Sequence, residues 1–288
     1  MELTTKQKYL SAAGMLLVAT AAVKVIGAVY KIPLTGLIGG TGRGYFSTAY
    51  TLFMPVHAIT LGAFPVALSG LVSKYRATGD SARVAALQRS ACGLFFWVGL
   101  AGTALMVLLA GPYTRLVAGA PKAVYTVLIL APTALFSAMA AAHRAFAEGH
   151  LNMVPTSVCQ VLEALFKMVF GLLFAKLSMG RLFQIYLDTG MVLGNRAESE
   201  TAALSMMYPV TAACAMLGVT LGALVAWLYA ALYDRFRYPR RLPRQQLPGG
   251  ATQELVRFAL PLVVATVIQS LSGFADTASV QMCLGLCG

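Results

Sequence analysis

Runs of about twenty apolar residues recur along this chain, and that is the length one helix needs to cross the roughly 30 Å hydrocarbon core of a bilayer. Six are complete, at roughly Leu10 to Tyr30, Tyr45 to Val72, Ala91 to Ala110, Val124 to Ala142, Val154 to Ala175 and Leu204 to Tyr233, and a seventh begins near Leu255. In lipid every backbone N–H and C=O must be satisfied internally, so such runs predict helices rather than irregular chain. Composition agrees. The 22 basic and 10 acidic residues make only 11% of 288, against 58% hydrophobic, where a soluble domain carries about 25% charged residues. The expected fold class is all-α: a polytopic membrane helix bundle, with six helices in one unit and the first helix of another.

Orientation follows from Lys and Arg near the ends of the spans. One side collects Lys6, Lys8, Lys74, Arg76, Arg83, Arg89, Arg144, Arg235, Arg237, Arg240, Arg241, Arg244 and Arg257; the other has Lys31, Arg43, Arg115, Lys122, Lys176, Arg181 and Arg196. The count of 13 against 7 predicts a cytoplasmic N-terminus. It also accounts for the net charge of +12 without nucleic acid, while the basic segment after the sixth span suits anionic lipid headgroups. The apolar stretch after Lys8 runs past Lys24 without a cleavage site, so it reads as a retained helix and not a signal peptide. Cys92, Cys159, Cys214, Cys283 and Cys287 form no CxxC or metal spacing, and His57, His143 and His150 have no partner at ligand spacing. No Ser/His/Asp set, phosphate-cradling loop or paired carboxylates occur. The chain reads as a non-enzyme with no metal and no cofactor.

Ionisable residues at bilayer depth cost about 2.5–3.5 kcal/mol on insertion scales and are usually functional. The fifth span holds Glu163 and Lys167 near its middle, with the acid N-terminal to the base at the spacing of a helical ion pair. Gln160 falls on the same face, so an intramembrane polar pair facing protein or water is expected, with packing favoured over gating. Lys24 lies mid-membrane in the first span, two turns before Lys31 on one face. Pro55, Pro65 and Pro132 punctuate the second and fourth spans as bending points, and the small residues of GLAGTA and GVTLGA predict close helix packing.

Leu16–Gly39 aligns with Leu262–Gly285 at six of 24 positions (Leu16, Val18, Ala19, Thr20, Gly27 and Gly39). After six crossings the first and seventh helices run the same way, the plan of parallel transporter repeats. The expected division is a six-helix lobe over 1–233, a basic linker over 234–254, and the first helix of a second lobe over 255–288. With one helix of that second lobe present, part of a protein nearly twice as long is expected.

Three stretches carry a family likeness: KVIGAVYKIPLTGLIGGTGRGYFSTAY, LGAFPVALSGLVSKY and RAFAEGHLNMVPTSVCQVLEALFKMVFGLLFA. They resemble the stage V sporulation protein B and polysaccharide biosynthesis branch of the multidrug/oligosaccharidyl-lipid/polysaccharide flippase superfamily. In the third stretch, Arg144, Gly149, Asn152 and Pro155 resemble the family's cytoplasmic loop, and Gln160, Glu163 and Lys167 its following helix. Glu148 stands where relatives often have Gln, and Lys167 where Arg is usual. His57 and its neighbours replace the arginine pair of dedicated lipid II flippases, which points to a related glycan.

The resemblance implies two six-helix lobes around a cavity lined mainly by the first two helices and their second-lobe counterparts. It implies alternating-access export of polyprenyl-pyrophosphate-linked oligosaccharide across the bacterial cytoplasmic membrane, for envelope or peptidoglycan assembly. Lys24 and Lys31 are then candidates for the pyrophosphate, and Asp276 for coupling to a cation, Na+ or H+. Substrate and membrane lipids are the implied partners, and nothing specifies an oligomeric state. The alternatives are a multidrug or toxin cation antiporter of the same superfamily and a non-transporting membrane scaffold.

Overall fold

The computed structural model describes residues 5–196, 199–238 and 250–287. It is a helical membrane bundle. The order is α1 (Thr5–Leu61), α2 (Phe64–Ala77), α3 (Ser81–Pro112), a π-helical turn (Tyr113–Val117), a 3-10 turn (Pro121–Ala123), α4 (Val124–Leu130) and α5 (Pro132–Gly149). Then come α6 (Val154–Thr189), a two-stranded hairpin of β1 (Met191–Val192) and β2 (Asn195–Arg196), α7 (Glu200–Arg237) and α8 (Ala251–Cys287). Six helical stretches among the described residues are long and apolar enough to cross a membrane.

The first of those stretches, Ser11–Ala58, has 48 residues. Straight, it would reach roughly 72 Å at 1.5 Å per residue, more than twice the hydrocarbon core. It does not run straight. Gly39 sits at φ 63°, ψ −177°, outside helical space, a conformation that glycine adopts readily. A Cβ there would also lie 2.6 Å from the Tyr208 ring. Tyr30 and Tyr50, on either side of it, flank one lysine amine at 5.7 and 4.9 Å from their ring centroids. Residues twenty apart on one straight helix would be about 30 Å apart. The chain therefore reverses at Gly39, giving arms 5–38 and 40–61 and seven crossings among the described residues. The expected loop between the first two spans contracts to this single non-helical residue.

The second span departs from one continuous helix. It breaks at Gly62–Ala63, and α2 restarts with Pro65 in its first turn. A Cβ at Gly62 would clash with the Thr266 methyl of α8, so the break is also where the seventh crossing packs. The fourth span is divided at Ala131, just ahead of Pro132. There the Thr103 and Thr220 hydroxyls donate to the carbonyls of Ala131 (3.2 Å) and Ile129 (2.8 Å), as proline-interrupted membrane helices require. Pro55 lies within the second arm of α1.

Small residues set the tightest packing. A Cβ at Gly218 of α7 would run into the Gly171 nitrogen of α6, and one at Gly222 would fall 2.7 Å from the Glu163 carbonyl. Gly99 of α3 likewise meets Ala138 and Leu135 of α5. With no hydrophobic drive between helices in lipid, such backbone approach is what holds them. Outward-facing apolar side chains such as Ile32, Leu108 and Phe236 are 79, 73 and 81% exposed, as a lipid-facing surface demands.

Two polar clusters close the end of the bundle that carries the 78–80 and 150–153 connections. The Asp234 carboxylate (4% exposed) takes two 3.0 Å hydrogen bonds from Gln88 Nε2 and lies 2.9 Å from His143 Nδ1. It joins α3, α5 and α7. At the start of α8, the Tyr75 hydroxyl donates to the Glu254 carboxylate and accepts from Arg83 Nη1 at 2.8 Å. Leu255 and Ala259 are fully buried in the same cluster as Leu68, Phe95 and Phe146, so the seventh crossing is docked on the first six. α7 stays helical through Arg237 and α8 begins at Ala251, so the basic linker is shorter at both ends than expected; residues 239–249 lie outside the described residues.

Gly218→Ala forces a methyl into backbone and should cost about 1–3 kcal/mol, lowering the thermal unfolding midpoint in detergent. Gly180→Ala in α6, where a Cβ meets nothing within 4 Å, should not lower the midpoint and should raise stability by about 0.5–1 kcal/mol.

Candidate functional site

Between the second arm of α1 and α8 lies a cleft of about 620 Å³. The α1 arm contributes Ser47, Tyr50, Thr51, Met54, Pro55 and Ala58; α8 contributes Thr266, Gln269, Ser270 and Gly273. Tyr50 lies 11 residues past the turn at Gly39, about 16 Å at helical rise, which puts the cleft at bilayer depth. Its lining offers hydroxyls and an amide on an apolar wall, the usual composition of a pocket for an oriented small ligand.

Behind that wall stands Lys167. Its Nζ donates to the Tyr50 hydroxyl oxygen at 2.8 Å and lies 5.7 Å from the centroid of the Tyr30 ring. Tyr30, Leu34 and Ile38 form the buried face of the first arm, against Ala175 and Ala215. The Tyr30 hydroxyl fits beside Gly171, where a Cβ would be 2.7 Å away. Glycines at 171 and 218 thus let α6 and α7 close up while the Lys167 side chain reaches across to both arms of α1.

This corrects the expected pairing. Gln160, Glu163 and Lys167 are all half-buried or near it on α6, but Glu163 and Lys167 do not approach within the 4.0 Å of an ion pair. The ammonium is held by the Tyr50 phenol and the Tyr30 ring, from residues more than a hundred positions away. An i, i+4 rule sees only the helix's own neighbours, so nothing local in the sequence points to Tyr50 or Tyr30.

The remaining candidates are dispersed. Lys24 and Lys31 lie on the first arm, off its packed face, and neither lines the cleft. Asp276 falls on α8, but its side chain lies outside the described residues. The family-like loop is mostly not a loop: Arg144 is on α5, Gly149 ends that helix and Pro155 is in the first turn of α6. A Cβ on Gly149 would meet Val72 at 2.6 Å. Asn152 Oδ1 accepts from Val154 N at 3.2 Å while its amide donates to the Tyr233 and Tyr238 hydroxyls at 2.9 and 3.2 Å. Asn152 thus ties the start of α6 to the end of α7, Gly149 packs on α2, and none of the four lines the cleft. His143, which has no partner at sequence range, is buried against Asp234. No cluster of His, Cys, Asp and Glu suited to a metal occurs among the described residues.

The family model described as polysaccharide biosynthesis protein matches residues 10–188. Over 174 residues the chain is 28% identical to the lipid II flippase MurJ of Bacillus subtilis (strain 168), covering 57% of this chain and 31% of that one. It is 23% identical over 290 residues to stage V sporulation protein B of the same organism, covering 98% of this chain and 51% of the relative. It thus spans about half the length of these curated relatives, or less. A MOP superfamily transporter from Pyrococcus furiosus Vc1 (DSM3638) superposes with a TM-score of 0.67 at 15% identity, over 95% of this chain and 57% of its own. An inward-facing MATE family multidrug resistance transporter of that superfamily gives 0.55 at 15% identity, over 90 and 55%. These two likenesses concern the fold.

A double-mutant cycle measures the Lys167–Tyr50 contact. Tyr50→Phe leaves the buried ammonium short of its acceptor and should cost about 1.5–3 kcal/mol; in Lys167→Met, the same Tyr50→Phe change should cost much less.

Proposed function

Because this chain belongs to the polysaccharide biosynthesis protein family, within the multidrug/oligosaccharidyl-lipid/polysaccharide flippase superfamily, we propose that it is part of a flippase that exports polyprenyl-pyrophosphate-linked oligosaccharide. In this reading the protein sits in the bacterial cytoplasmic membrane with its N-terminus and the Asp234 and Glu254 clusters inside. Residues 1–233 form the first lobe, 234–254 link it to the second, and α8 opens that second lobe. Transport needs no covalent chemistry. The lobes alternate around a central path, and an Na+ or H+ gradient acting at Asp276 biases the cycle.

The observation that carries this reading is the polar cleft between the second and seventh crossings, where the first six-helix unit meets α8. Its lining supplies neutral donors, and the cation with a contact to that lining is Lys167, behind Tyr50; Lys24 and Lys31 are exposed on the first arm of α1. A cationic drug would meet the wrong charge here, whereas a pyrophosphate headgroup needs charge-assisted donors in a dry site.

The test is transport by the full protein in liposomes, with a short-chain polyprenyl-pyrophosphate glycan whose outer-leaflet sugar is read by a lectin. The double substitution Lys24→Gln/Lys31→Gln should slow the initial rate at least about tenfold, the loss of one charge-assisted hydrogen bond. Unchanged rates would remove the lysines from the pathway. Absence of wild-type transport would favour a scaffold.

A further inference from the structure

Tyr50 lines the cleft and also touches a buried cation, and the direction of that contact decides its chemistry. Lys167 Nζ donates to the Tyr50 oxygen at 2.8 Å. An ammonium has donors and no acceptor, so the phenol's own proton cannot be spent on Lys167. The ammonium also withdraws electron density from that oxygen, making the O–H a stronger donor. Lys167 is itself held between the Tyr50 hydroxyl and the Tyr30 ring and does not line the cleft. The other polar groups of the cleft are Ser47, Thr51, Thr266, Gln269 and Ser270, with no carboxylate among the described lining residues.

We propose that Tyr50 is a substrate-contacting residue that donates its hydroxyl hydrogen bond to a phosphate oxygen in this cleft, with Lys167 as its positioning residue. The inference rests on the reading of the protein as a carrier of a pyrophosphate-linked lipid and assigns that headgroup a contact which Lys24 and Lys31 do not supply. A phenol donating to an anionic oxygen makes a short, strong hydrogen bond. The cleft's volume of about 620 Å³ is within the roughly 300–1,000 Å³ of small-ligand sites. The two roles separate cleanly. Tyr50 touches the ligand, while Lys167 acts through Tyr50 and is replaceable by another cation that keeps the same hydrogen bond.

The experiment titrates the full protein in detergent with farnesyl diphosphate and with farnesol, which share the lipid tail and differ in the anion. The wild type should bind the diphosphate more tightly. Tyr50→Phe and Lys167→Gln should each lose about tenfold in diphosphate affinity with farnesol affinity unchanged, and Lys167→Arg should recover most of it. Incorporation of 3-fluorotyrosine at position 50 keeps the fold while acidifying the phenol, and should tighten diphosphate binding. If Tyr50→Phe and Lys167→Gln bind diphosphate like the wild type, or the fluorinated protein shows no gain, the assignment to Tyr50 is overturned and the transport reading stands. If the wild type binds farnesol and farnesyl diphosphate alike, the pyrophosphate reading falls with it.

Discussion

One buried ammonium organises the helix bundle. Placing Lys167 at bilayer depth costs about 2.5–3.5 kcal/mol, and among the described residues no carboxylate lies within ion-pair distance of it. The offset comes from a charge-assisted hydrogen bond to Tyr50, about 1.5–3 kcal/mol, and from the Tyr30 ring, where desolvated cation–π contact contributes about 2 kcal/mol. The terms are of similar size, so the arrangement holds only if both tyrosines are in place. That requirement reaches far. Tyr30 and Tyr50 meet at one height only because the chain doubles back at Gly39. Lys167 reaches them from α6, which is itself pressed against α7 through Gly171, Gly218 and Gly222. Gly39, in turn, has the ring of Tyr208 of α7 where its side chain would be.

The opposite arrangement governs the other end of the bundle, where conventional polar pairs do the joining. Asp234 ties α3, α5 and α7 together, and Asn152 and Gly149 fix the connection from α5 to α6. Glu254, Tyr75 and Arg83 then attach the seventh crossing. That attachment is what creates the cleft. α8 is pinned at its start and again at Gly62, and between its Thr266–Gly273 stretch and the second arm of α1 the two helices leave a polar-lined space.

The helical class and most crossings were legible in the sequence because lipid permits little else for twenty-residue apolar runs. The small-residue stretches GLAGTA and GVTLGA also declared their packing, since close backbone approach depends on the residue itself. What was not legible is long-range. The spacing of Glu163 and Lys167 implied a pair because a helix's i and i+4 residues are neighbours, whereas the partners of Lys167 came from across the fold. His143 looked solitary for the same reason, with Asp234 91 residues away. The reversal between the first two spans was legible, but not that Gly39 alone would make it, because the residues on both sides keep helical hydropathy. Arg144, Gly149, Asn152 and Pro155 were legible as a family-like group, but a pattern of residues does not distinguish a clamp from a binding loop.

The central claim is that Lys167 is paired with Tyr50 and Tyr30 and not with Glu163. Selective 15N labelling of lysine side chains reports it directly by NMR in detergent or nanodiscs. The Lys167 Nζ protons should be shifted upfield by the Tyr30 ring and protected from water exchange. Their signal should move strongly in Tyr50→Phe and little in Glu163→Gln. A Lys167 signal in rapid exchange at the ordinary lysine position, or one that responds to Glu163→Gln but not to Tyr50→Phe, would contradict the account.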